Sequence, residues 1–181
     1  MLNNLTALLD SGAAPAVGDY ESISTVTAGA GGSATVTFSS IASTYKHLQL
    51  RFIAAGTSTP ALYIKINNDS GANYVRHRLQ GNGSAASSSS NTGDTQMVVF
   101  GSPGLPASST FGACVIDFLD YSNTNKYKTN RILAGVDTNG AGNIEFASNL
   151  WMNTAAINSL TITASSGNLS QYSSFALYGV K

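Results

Sequence analysis

Charge is what this chain has least of. Nine basic and nine acidic side chains among 181 residues make only 10% charged and cancel to zero, where roughly 25% is usual for a globular domain. So sparse and balanced a set cannot neutralise a run of phosphates, which excludes a nucleic-acid partner held by backbone contacts. The same neutrality leaves little repulsion between copies, so close packing into an oligomer costs little electrostatically. Cysteine occurs once, as Cys114, which excludes an internal disulfide and a cysteine-rich zinc site. Cys114 lies in the apolar run 111–116 and is expected to be a small buried hydrophobe. No window approaches the ~18–20 apolar residues of a membrane span, so no membrane partner is expected. The first residues lack a basic start and an unbroken apolar stretch, so synthesis as a soluble protein in a cytoplasm is expected.

What the chain does have is 43% hydrophobic residues, distributed throughout, which distinguishes it from a disordered polar chain. Its length suits one domain with an appendage. Residues 1–19 form that appendage. Leu2, Leu5, Leu8 and Leu9 fall three to four apart, the spacing of one face of a short helix. Asn3 or Asn4 can cap its start, Ser11-Gly12 ends it, and residues 13–18 read as a linker. So short a helix is marginal alone and needs something to dock on. Its leucines are therefore candidates for partner binding, either on the protein's own sandwich or on a neighbouring subunit.

From Tyr20 the period changes to two, defining a domain over 20–181. Leu48, Leu50, Phe52 and Ala54 share one face of a strand, and Leu62, Ile64 and Ile66 share one face of the next. In residues 20–27, Ile23 and Val26 fall on opposite faces by the same count. Asn67-Asn68-Asp69-Ser70-Gly71 and Gly29-Ala30-Gly31-Gly32 are turns by composition, and Asn139-Gly140 is a strong hairpin signal. The serine-rich stretch 84–93 reads as a long exposed loop. Roughly ten short strands with Gly and Asn turns predict an all-β fold, an antiparallel β-sandwich of jelly-roll type.

Candidate chemistry dissolves on inspection. Gly81-Asn82-Gly83-Ser84-Ala85-Ala86 fits a phosphate-cradling pattern, but serines follow where an amphipathic helix is required. Asp137-Thr138-Asn139-Gly140 opens like a calcium loop, yet Ser148 stands where the bidentate glutamate belongs. His47 and His77 sit in different strands with no third ligand at metal spacing. There is no G-x-S-x-G elbow for a serine hydrolase. Asp117 and Asp120 are three apart on a period of two, so they face opposite ways and cannot act as an acid and base pair. At least one is expected to pair with Lys126, Lys128 or Arg131. No catalytic residue, metal or cofactor is expected. Arg76 and Arg78 share a face, and with Trp151, Tyr172 and Tyr178 they are the candidate interface residues. Aromatics beside Asn- and Ser-rich segments also keep a glycan partner open.

Several segments resemble small β-rich virion proteins of tailed phages, notably those infecting cyanobacteria and other aquatic bacteria. They are Tyr20-Glu21-Ser22-Ile23, Thr44-Tyr45-Lys46-His47-Leu48-Gln49-Leu50-Arg51, Tyr74-Val75-Arg76-His77-Arg78-Leu79, Ile116-Asp117-Phe118-Leu119-Asp120-Tyr121 and the closing Tyr172–Lys181 strand. The resemblance implies a structural role at the virion surface after assembly in the host cytoplasm. The first expectation is a head decoration (cement) protein, a dimer or trimer of itself bound to the major capsid protein. The alternative is a tail-fibre or receptor-binding module that touches host glycans.

Overall fold

The computed structural model describes residues 18–101, 104–107 and 109–181. The expected arm, with Leu2, Leu5, Leu8 and Leu9, falls on residues of which 1–17 lie outside those described. Among the described residues there are twelve strands and no helix. They are β1 (Tyr20–Thr27), β2 (Thr35–Phe38), β3 (His47–Ala54), β4 (Leu62–Ile66), β5 (Tyr74–Gly81) and β6 (Ala86–Asp94). The rest are β7 (Met97–Phe100), β8 (Gly112–Leu119), β9 (Lys128–Asp137), β10 (Gly142–Trp151), β11 (Leu160–Ala164) and β12 (Ser174–Val180).

The strands form two antiparallel sheets, β1-β12-β3-β8-β9-β10-β5-β6 and β2-β11-β4-β7, which make a β-sandwich. Each sheet contributes one apolar face to the core. Leu48, Leu50, Phe52, Ile116, Phe118, Phe175 and Leu177 come from the large sheet, and Val36, Phe38, Leu62, Ile64, Ile66, Leu160 and Ile162 from the small one. The alternation read in residues 48–54 and 62–66 is therefore the alternation the core uses. Cys114 is buried in that core, and burial pushes its thiol well above the ordinary range.

Two hairpins interrupt a simpler order. Without β5–β6 and β9–β10, the large sheet reads β1-β12-β3-β8 and faces β2-β11-β4-β7. The two hairpins lie side by side and extend only the large sheet, as a wing β9-β10-β5-β6. At the β9–β10 turn, Asn139 (φ 59°) and Gly140 (φ 101°) both take positive φ, the conformation a two-residue I′ turn requires.

Two sequence expectations need correction. The stretch 84–93 is not a loop: residues 86–94 form β6, paired along its length with β5. A tight turn starts it, because Asn82 Oδ1 accepts from the Ser84 and Ala85 N–H groups at 3.0 and 2.9 Å. Its ladder is made by backbone groups, which serine supplies as well as valine does, so the absence of apolar residues marks only an edge strand exposed on both sides. In β1 the register shifts between Ser22 and Ser24. This bulge inserts one residue and brings Ile23 and Val26 together against the core, where strict alternation separates them.

Candidate interaction surface

Beside Tyr74, Ala147 and Trp151, which join the core, the wing inverts the usual polarity of a sandwich. On β5 and β10 the side that continues the core face carries Arg76, Arg78, Gln80, Asn143, Glu145 and Asn149. The opposite, outer side carries Leu79, Ile144 and Phe146, all exposed.

The outer face can be read in register rows that cross the strands. One row runs Ala176, Arg51, Val115, Leu133, Phe146, Leu79 and Ser88 from β12 to β6. The neighbouring row runs Ser174, Ile53, Ala113, Gly135, Ile144, Gly81 and Ala86. Ile53, Leu79, Leu133, Ile144 and Phe146 are each more than half exposed, so the two rows form one contiguous apolar patch. Single exposed apolar side chains are normal, but a contiguous block of this kind makes this face a candidate interaction surface. On its other flank the next row is polar: Gln49 Nε2 donates to Asp117 Oδ1 at 2.6 Å, and Arg131 Nη1 donates to Ser148 Oγ at 2.8 Å. The patch thus has a hydrogen-bonded polar rim on that side, the anatomy of a protein interface.

The inner side of the wing is a buried polar layer. Arg78 Nη1 lies 3.3 Å from Glu145 Oε2, and Glu145 is only 2% exposed. Burial raises the Glu145 carboxyl above its ordinary value, and Arg78 and Arg76 beside it pull it only part of the way back. Asn149 Nδ2 donates to Asn130 Oδ1 at 2.9 Å. Among the described residues several buried atoms here have no partner: Arg76 Nε and Nη1, Arg78 Nε, Gln80 Oε1, Glu145 Oε1 and Asn149 Oδ1.

The five candidate interface residues separate. Arg76 and Arg78 do share a face, but it is the inner one. Trp151 is not at a surface at all: it is 1% exposed, and its Nε1 donates to Asp69 Oδ2 at 2.7 Å. Its size and its one donor are both satisfied there, so it is a core residue. Tyr178 is half-buried on the outer face, where the Arg51 guanidinium lies 5.0 Å from its ring and 4.8 Å from that of Tyr20. Tyr172 is the most exposed of the large hydrophobic side chains. Tyr74 and Tyr121 are buried, so the tyrosines do not form a single platform.

The acidic pair separates, although not as two faces of one strand, because Asp120 lies just past β8 with a positive φ of 47°. Asp117 sits in the polar row of the outer face, while Asp120 closes the strand and pairs with Lys126, with His47 Nδ1 at 3.6 Å. Asp69, in the 67–71 turn, is saturated: besides Trp151 it accepts from Asn73 Nδ2 at 2.9 Å and the Gly71 N–H at 2.8 Å. Sequence reasoning missed Leu79, Leu133, Ile144 and Phe146, because they look like ordinary core positions of alternating strands. The available signal was their pairing with Arg76, Arg78 and Glu145 on the other face. No family model and no curated protein sequence matches this chain.

Proposed function

We propose that this chain is a non-enzymatic structural protein of a tailed-phage particle, a head decoration protein with a jelly-roll core. The observation that carries this reading is the contiguous apolar patch on the outer face of the large sheet. In water such a patch is unfavourable by roughly 25 cal/mol for each Å² left uncovered, so it favours a neighbour. The occupant is a second copy of this chain, since a net charge of zero sets no electrostatic barrier to self-packing. The strand order supports the fold reading. With the two inserted hairpins set aside, every connection except β4 to β7 crosses from one sheet to the other, as in a double Greek key.

In this reading the oligomer sits on the major capsid protein, and the leucine-spaced N-terminal segment with Leu2, Leu5, Leu8 and Leu9 supplies the attachment. Quantifying the protein per purified particle tests it. A copy number comparable with that of the capsid protein is expected, and incorporation is expected to disappear on deletion of residues 1–18. A handful of copies confined to the tail would overturn decoration in favour of the receptor-binding alternative.

A further inference from the structure

At one end of the wing the two hairpin turns and the 104–107 segment line an open cavity of about 620 Å³, within the roughly 300–1,000 Å³ range of small-molecule sites. It lies on the inner side and shares no surface with the apolar patch. Its floor is Gln80 and Asn143, on paired strands. Asn143 is 8% exposed and lines the cavity. Among the described residues Gln80 Oε1 is buried and has no hydrogen-bond partner. A buried amide oxygen without a partner is uncommon in folded proteins, and it costs about 1–3 kcal/mol unless something satisfies it.

The wall residues narrow the chemistry. Asn82 Oδ1 is committed to two backbone N–H groups, which leaves its Nδ2 as a donor toward the cavity. Thr138 Oγ1 donates to Ala141 O at 2.7 Å, which leaves its lone pairs to accept. Among the described residues no charged side chain lines the cavity, and Glu145, opposite Gln80 in the ladder, pairs through Oε2 with Arg78. An ionic ligand would enter without a counter-charge, and a purely apolar one would seal the amides unpaired. A ligand whose groups both donate and accept, with apolar CH faces to set against Leu105 and Pro106, satisfies all of these groups.

We propose that this cavity binds a neutral polyhydroxylated ligand, a saccharide unit, read by the side-chain amides of Gln80, Asn82 and Asn143. Among the described residues the cavity has no aromatic lining, so ring stacking adds nothing and a dissociation constant on the order of millimolar is expected for a single sugar.

The test is an NMR titration of the full chain with glucose, galactose, mannose and N-acetylglucosamine, each to about 50 mM. At least one sugar is expected to shift the side-chain amide signals of Asn143, Gln80 and Asn82 in a saturable way. Asn143→Ala and, on the other strand, Gln80→Leu are each expected to weaken that binding about tenfold or more, whereas Tyr172→Ala leaves it unchanged. The two variants lie in different hairpins, so misfolding of one does not remove the test. Absence of saturable shifts with all four sugars overturns the proposal. So does binding that survives both substitutions, or saturation of these amides by an uncapped extended peptide or by inorganic phosphate in place of any sugar. None of these outcomes touches the assembly reading, which is decided by copy number on the particle.

Discussion

Leu79 and Phe146 stand directly opposite one another across the β5–β10 ladder, on the outer face, exposed by 55% and 52%. An apolar pair so placed contributes little to the isolated fold, about 0.2–1 kcal/mol from the cross-strand contact, yet it occupies the middle of the apolar patch. The double substitution Leu79→Lys with Phe146→Glu replaces it by a cross-strand ion pair. It is expected to change folding stability by less than about 1 kcal/mol while abolishing self-association. Sedimentation velocity alongside denaturant unfolding separates the two effects. A stability loss without a change in oligomeric state would show that the pair serves the fold instead.

Asp69 ties the 67–71 turn to the core through Trp151. Burial raises its carboxyl, but the hydrogen bonds from Trp151, Asn73 and Gly71 outweigh this and hold it below the ordinary value. A carboxyl depressed by folding stabilises the protein above its unfolded pKa of about 3.9, and that contribution is lost as pH falls through the lower folded value. Acid unfolding followed by the fluorescence of Trp151, the single tryptophan, is expected to show this limb. Asp69→Asn is expected to flatten it and to cost about 1–2 kcal/mol at neutral pH. An unchanged acid limb in the variant would remove Asp69 from the account.

Lys128 is an ammonium group in the core layer, 1% exposed. Its Nζ donates to three carbonyl oxygens, those of Asn123 at 2.6 Å and of Lys126 and Thr154 at 2.9 Å. It thereby pins the loop between β8 and β9 to the segment after β10. Burial lowers its pKa, with Lys126 nearby adding to the shift. Lys128→Met matches the volume but orphans three acceptors, and is expected to destabilise by about 3 kcal/mol or more. Chemical denaturation measures it. A loss below about 1 kcal/mol would mean that water replaces the ammonium.

Gly179, in β12, lies under the ring of Tyr45. A Cβ there would come within 2.3 Å of ring carbons. The ring cannot swing away freely, since Tyr45 Oη donates to Glu21 Oε1 at 2.9 Å and the ring packs on the core. Gly179→Ala is therefore expected to cost about 1–3 kcal/mol by overpacking. Pairing it with Tyr45→Ala is expected to recover part of that loss, which thermal melts of the two single variants and the double variant will show. Additive losses would place the clash elsewhere.

The sheet strands of the core were legible because their spacing and burial agree. Leu48, Leu50 and Phe52, or Leu62, Ile64 and Ile66, have one face that must be inside, and period two identifies it. The Asn139-Gly140 turn was legible because few residues tolerate positive φ twice in succession. The β6 strand was not, since its partner is the backbone of β5 and its side chains carry no pattern. Trp151 was misplaced because an aromatic in a strand reads the same whether its ring meets solvent or a buried carboxylate. The wing was legible only in part. Alternation correctly put Arg76 and Arg78 on one face, but it could not say which face looks inward.

The sequence by itself determined the class of fold, the turns, the set of residues sharing each strand face and the near-absence of charge that permits close assembly. Those properties are local: they follow from backbone sterics and from a side-chain period of two. Only the tertiary structure decided that two inserted hairpins extend one sheet beyond its partner. The small sheet meets this wing chiefly along its edge strand β7, so much of the inner face need not be apolar. The arginines and amides can therefore turn inward around a cavity, while Leu79, Leu133, Ile144 and Phe146 are left outward, facing water.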